Sequence, residues 1–186
     1  MRKKIVIGII GEQAGGKGAG ANIIKEQYGG LRFTVSNVLK KILDTLHIEN
    51  SRENFTKLAL NLKKTFGDQI IIKALLEEIK KTEDELIIID GLRMPGDPEV
   101  FHNEFKDNFY LIYITADQKI RYERSIKRGE KEGESRASFE DFQENEKKGT
   151  ESLIPQVAQS ADFKIINNNS LENLKKDILE IMKKIY

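Results

Sequence analysis

Apolar residues fall along this chain in two rhythms. Ile5–Ile10, Leu86–Ile89 and Phe109–Ile114 are short continuous runs, rich in β-branched residues, that stop at Gly11, Asp90 and Thr115. Runs without polar alternation fit strands of a parallel sheet covered on both faces. Arg32–Val35 and Phe163–Ile166 are weaker candidates of the same kind. Between them the apolar spacing changes to threes and fours, which predicts helices. Val38, Leu39, Ile42, Leu43 and Leu46 form one stripe behind Ser36 as a cap. Phe55, Leu58, Ala59, Leu62 and Phe66 form another, between Ser51 as a cap and Gly67 as a stop. Further helices are expected from Asp68 to Ile79, from Asp97-Pro98-Glu99, and from Asp117 to Arg128. The last starts at Ser170, with Leu171, Leu174, Ile178, Ile181 and Ile185 on one side. Strands alternating with helices predict an α/β sandwich, a five-stranded parallel sheet between two helical layers.

From Gly129 to Thr150 the chain is charged and small apart from Phe139 and Phe142. It is expected to be an exposed, lid-like excursion, 129–150, on a single core made of 1–128 and 151–186. The 186 residues suit one domain. Lys plus Arg is 31 and Asp plus Glu is 30, a net charge of +1 that argues against a general nucleic-acid surface. The absence of cysteine removes disulfides, Cys–zinc sites and thiol chemistry, and the two histidines sit in no metal-binding pattern. No apolar run exceeds six residues, so a soluble cytoplasmic protein without membrane partners is expected. Composition does not give the oligomeric state.

The first strand leads into Gly11-Glu-Gln-Ala-Gly-Gly16-Lys17-Gly18-Ala19-Gly20, five glycines in ten residues. Each glycine is entropically costly to order, so this density makes sense where backbone amides must wrap a polyanion. Gly11, four residues, Gly16 and Lys17 match the P-loop spacing, and the strand–loop–helix context is the one such a loop requires. The serine or threonine that usually follows the lysine is Gly18, and neither Gly18 nor Ala19 carries a side-chain oxygen. Asp90 ends a buried strand at the edge where open sheets bind ligands. It could hold magnesium or cap the turn before Met94-Pro95-Gly96. Arg93 could clamp an anionic substrate or pair with a surface acid. Arg121, Arg124 and Arg128 share a helix face just before the excursion, and Arg136 lies inside it. Cations there could neutralise charge on a transferred phosphoryl group.

These residues resemble the P-loop nucleoside-monophosphate kinases. Gly11–Ala19 is similar to the G-x-P-G-x-G-K-G-T loop of adenylate kinases, with Gln13 for the proline, Ala14 for the next glycine and Ala19 for the threonine. Asp90-Gly-Leu-Arg93 resembles their D-G-x-P-R segment, and Arg124-Ser-Ile-Lys-Arg128 their lid R-x-x-x-R. Ser36-Asn-Val-Leu-Lys40 stands where they have T-G-D-L-L-R, without the aspartate. A likeness over nearly the whole chain is to nucleotide kinase-like proteins described as AAA-family ATPases or dephospho-CoA-kinase-like. Ser51-Arg-Glu-Asn54, Asp90–Arg93, Ile114–Gly129 and Ala161–Asn167 carry it.

The resemblance implies an ATP- and magnesium-dependent phosphotransferase with a small-molecule nucleotide substrate. Gly11, Ala14, Gly15, Gly16, Lys17, Gly18, Ala19 and Arg124 would bind ATP. Ser36, Lys40 and Arg93 would bind the acceptor, and Asp90 would lie by the metal. Lys17, Arg93, Arg124, Arg128 and Arg136 would act in transfer. Two other classes remain open: an ATP-binding regulatory protein without transfer, and a nucleic-acid-associated NTPase, which the charge balance disfavours.

Overall fold

The computed structural model describes residues 4–129 and 137–186. Five strands, β1 (Ile5–Ile10), β2 (Leu31–Thr34), β3 (Leu86–Asp90), β4 (Phe109–Thr115) and β5 (Phe163–Ile166), form one sheet in the order β2-β3-β1-β4-β5. All four pairings are parallel. Ile9 lies opposite both Asp90 and Ile112, while Thr34 lies opposite Asp90. Strand order turns back at β1, so the loop after it opens into the crevice where such sheets bind ligands.

The continuous apolar runs are explained by two cores. Val6, Ile10, Ile87, Ile89, Phe109 and Leu111 face one side, against α2 (Val35–Thr45), α4 (Ile70–Lys80), α5 (Asp97–Phe105) and Val157 of α8 (Ile154–Val157). Ile7, Ile9, Ile88, Ile112, Ile114 and Ile165 face the other, against α1 (Lys17–Tyr28) and α9 (Leu171–Ile185). Gly8 keeps room in the first core, since a Cβ there would lie 2.9 Å from Leu111 Cδ1.

Local signals end several helices as expected. Ser51 Oγ accepts from Asn54 N at 3.2 Å to start α3 (Arg52–Phe66), and Gly67 stops it with φ 95°. Ser170 Oγ accepts from Asn173 N at 3.3 Å to start α9. Other expectations need correction. Thr34, not Ser36, takes the cap position of α2, because the helix begins directly from the end of β2. Leu46, Phe66 and Leu171 were placed in core stripes but are 58%, 65% and 63% exposed, each sitting at or beyond a helix end where the stripe leaves the sheet.

The described part of the excursion, 137–150, is exposed or half-buried except at Phe142. It contains α7 (Phe139–Glu146), opened by a reciprocal capping box between Ser138 and Asp141. Phe142 is 4% exposed, and Tyr122 of α6 (Gln118–Arg128) meets the rings of Phe139 and Phe142 at 5.2 and 5.8 Å. Buried Arg121 is ion-paired with Glu146 and lies over the Phe142 ring. Two phenylalanines at i and i+3, with an arginine supplied by the neighbouring helix, suffice to dock this charged segment. Among the described residues, no helix is long and apolar enough to cross a membrane.

Candidate active site

The glycine loop runs from the end of β1 into α1 across the C-terminal end of β4. A Cβ on Gly11 would stand 1.9 Å from Ile114 O, and one on Gly15 2.8 Å from the same oxygen. At Gly16, where φ is 114°, a Cβ would lie 2.3 Å from Asn167 Nδ2. Gly11 and Gly15 are therefore required by close backbone approach, and Gly16 by its positive φ and the Asn167 side chain, which fixes the loop's path. Ala14 adopts φ 58°, a left-handed conformation that costs a residue with a Cβ about 1–2 kcal/mol.

Glu12 holds this path from inside. Its carboxylate accepts from Tyr113 Oη at 2.5 Å and from Thr115 Oγ1 at 2.7 Å, so β4 anchors the loop. Burial, then the bond to Glu12, pushes the Tyr113 phenol up to about 12. Glu12 O accepts from Gly15 N at 3.1 Å and from Lys17 Nζ at 2.9 Å. Asn167, at the end of β5, donates Nδ2 to Gly15 O at 3.0 Å in a buried bond.

Lys17 is thus folded back over its own loop. Burial lowers its ammonium from 10.5 to about 8; the charges of Glu151, Asp90 and Glu12 oppose this and that of Arg93 adds to it. A cation held at a desolvation cost is one that an arriving anion would stabilise. The same interactions bring Lys17, Asp90, Arg93 and Glu151 into one electrostatic neighbourhood.

Arg93 is ion-paired with Glu151, while its backbone N and that of Met94 both donate to Asp97 Oδ2 at 2.9 Å. Those bonds rigidify the turn after β3. Burial pushes the Asp97 carboxyl up, and the two backbone donors oppose it. Asp90, expected beside a metal, accepts on Oδ2 from Arg32 Nη2 at 2.5 Å. Arg32 Nη1 donates to Asn22 Oδ1 at 3.0 Å.

The remaining expected residues lie further out. Arg124 donates to the backbone oxygens of Asn167 and Asn169 at 2.8 and 3.2 Å, behind the loop. Arg128 is exposed at the end of α6. Arg121 parts from the other two arginines, buried against α7. Ser36 Oγ is 3.1 Å from Thr34 Oγ1, and Lys40 is paired with Asp44 at 2.5 Å on the exposed side of α2. Arg136 lies outside the described residues.

A magnesium ion takes oxygen ligands in tight octahedral geometry. Gly18 is exposed and Ala19 packs toward the second core, so neither offers an oxygen from its side chain. The Asp90 carboxylate is committed to a guanidinium, and no group of three or more acids or histidines suited to a metal occurs among the described residues. The residues present do not fit a protein-held magnesium.

Sequence reasoning passed over Arg32, Asn22, Glu12, Glu151 and Asn167. Two signals were visible: a charged residue inside a glycine loop, at Glu12, and another inside a strand, at Arg32.

The architecture and strand order are those of a fold shared with solved small-molecule kinases. Three solved structures share it, a gluconokinase from Sinorhizobium meliloti, a shikimate kinase from Bacteroides thetaiotaomicron and a dephospho-CoA kinase from Campylobacter jejuni. Their TM-scores are 0.62, 0.60 and 0.56, at 10%, 12% and 17% identity. The matches cover 100%, 96% and 98% of this chain and 95%, 98% and 98% of theirs. In sequence the chain is similar to a UPF0200 protein of Methanosarcina barkeri, 27% identical over 177 residues, covering 95% of this chain and 94% of the relative. A UPF0200 protein of Methanothermobacter thermautotrophicus is 25% identical over 181 residues, 97% of this chain and 90% of the relative. No family model matches the chain.

Proposed function

We propose that this chain is an ATP-dependent phosphotransferase whose acceptor is a nucleoside or deoxynucleoside monophosphate. The observation that carries the reading is the glycine loop, pinned by β4 and Asn167, with a desolvated Lys17 folded over it and Arg93 in its electrostatic neighbourhood. In this reading the loop amides and Lys17 hold the ATP phosphates, and Arg93 exchanges Glu151 for the acceptor phosphate. Arg124 and Arg128 lie on the donor side, and Ser36 and Lys40 on the acceptor side.

The carboxylates around Lys17 bear on the choice between a phosphate and an alcohol acceptor. Asp90 and Glu151 are paired with arginines, and Glu12 accepts from Tyr113 and Thr115. Asp90 and Glu12 are thereby kept from proton transfer, whereas Glu151 keeps Oε2 buried without a hydrogen-bond partner and is the one of these three that could serve a hydroxyl acceptor as base. A monophosphate oxygen is already anionic and needs no such base, so positioning and charge neutralisation suffice.

A second reading, an ATP-binding protein without transfer, is favoured by the absence of side-chain oxygens at Gly18 and Ala19 and by the commitment of Asp90 to Arg32. The test is a panel of nucleoside and deoxynucleoside monophosphates plus dephospho-CoA, incubated with ATP and magnesium, with products quantified. The first reading expects a diphosphate product from at least one monophosphate. Turnover of none, with ATP still bound, selects the second reading. A protein that does not bind ATP overturns both.

A further inference from the structure

Arg32 occupies a position with a specific chemical meaning. It projects from β2, and its guanidinium spans from the end of β3 to the first turns of α1. Nη2 lies 2.5 Å from Asp90 Oδ2 and Nη1 lies 3.0 Å from Asn22 Oδ1. A Cβ added to Gly18 would stand 3.9 Å from Nη2. In a P-loop the side chain after the lysine and the carboxylate at the end of the neighbouring strand are the two groups that hold magnesium. Here those two places are a glycine and an ion-paired aspartate, and the guanidinium lies between them.

We infer that Arg32 is a resident cation standing in the metal's place, so that this site binds a nucleoside polyphosphate without a metal ion. The inference rests on the reading of the loop as a nucleotide-phosphate cradle. A guanidinium keeps its charge throughout the physiological range and offers five donors in a rigid fork suited to phosphate oxygens. Two of its nitrogens are held by Asp90 and Asn22. Nε is shielded from solvent and has no hydrogen-bond acceptor. Nη1 and Nη2 each keep a second N–H, and the side chain is 27% exposed, so an incoming anionic oxygen can be met there. Asp90 thereby changes role, from metal-side carboxylate to positioning group for Arg32. A Cβ at Gly18 would only touch Nη2 at ordinary contact distance, so what the glycine contributes here is the lack of a competing hydroxyl.

The test is isothermal titration of the intact chain with ATP in EDTA and with ATP in excess magnesium, repeated on Arg32→Gln and Arg32→Lys. The wild-type protein is expected to bind both forms with affinities within about threefold of one another. Arg32→Gln is expected to lose about tenfold or more for metal-free ATP, as befits the loss of one charge-assisted contact, and to become magnesium-dependent. Arg32→Lys is expected to retain part of the metal-free affinity, because it keeps the charge but not the fork. Wild-type binding that is about tenfold or more tighter for the magnesium form overturns the inference, and it needs no variant to fold. Unchanged metal-free affinity in Arg32→Gln overturns it as well. A wild-type protein that binds neither form overturns the nucleotide reading itself, and with it this inference, whereas a preference for the magnesium form overturns this inference alone.

Discussion

Replacing Lys17 with methionine should make the folded protein more stable near neutrality while disabling its site. On folding, the Lys17 ammonium falls from 10.5 to about 8, chiefly because burial strips its water. Its charged form is therefore disfavoured in the folded state relative to the unfolded one. Below about pH 8 both states carry the proton, and the full penalty, about 3 kcal/mol, weighs against folding. Between about pH 8 and 10.5 the folded protein gives up the proton first and the penalty fades; above 10.5 it is gone. Methionine keeps the apolar stem and removes the charge, but it also removes the bond to Glu12 O at 2.9 Å, worth about 1 kcal/mol. Lys17→Met should thus gain about 2 kcal/mol at pH 7 and lose about 1 kcal/mol relative to wild type at pH 10.5. Urea unfolding of both proteins at the two pH values, followed by circular dichroism, measures the difference directly and cancels the titration of every other group. ATP affinity should fall in the same variant. A Lys17→Met protein less stable than wild type at pH 7, or a difference that does not change with pH, would refute the reasoning.

The other expectations concern what holds the loop and the helix beside it. Asn167→Ala leaves Gly15 O buried without its donor and should cost about 1–3 kcal/mol with weakened ATP binding, checked by thermal melting and calorimetry. Gly11→Ala adds a Cβ 1.9 Å from Ile114 O and must part β1 from β4 or displace the loop, so a loss of about 3 kcal/mol or more is expected in denaturant unfolding. Phe142→Ala should cost about 3 kcal/mol, and hydrogen exchange should show the loss of protection concentrated in Phe139–Glu146; a protection pattern identical to wild type would mean that Phe142 does not dock α7.

The sheet was legible because burial on both faces writes itself into sequence as unbroken apolar runs, and the glycine loop because close backbone approach leaves no alternative to glycine. Ser51, Gly67 and Ser170 were readable for a similar reason: a cap is decided within four residues. What the sequence hid was decided by distance along the chain. Asn167 reaches Gly15, Glu151 reaches Arg93, and Arg32 reaches Asp90, and no local spacing links these partners. The docking of α7 was not legible because it draws on Tyr122 and Arg121 of another helix, while its own composition is charged. The arginine stripe on α6 was correct as a spacing. Its members nevertheless serve different ends, with Arg121 against Glu146 and Arg124 on the carbonyls behind the loop.

The central claim is that the Gly11–Ala19 loop binds the phosphates of a nucleotide and that this is where affinity resides. Calorimetric titration of the wild-type protein with ATP and, separately, with adenosine tests it most directly. The account predicts measurable ATP binding, adenosine binding at least about a hundredfold weaker, and loss of the difference in Lys17→Met, as expected when charge-assisted contacts to phosphate carry the energy. Equal affinity for adenosine and ATP, or ATP binding indifferent to Lys17, would contradict it.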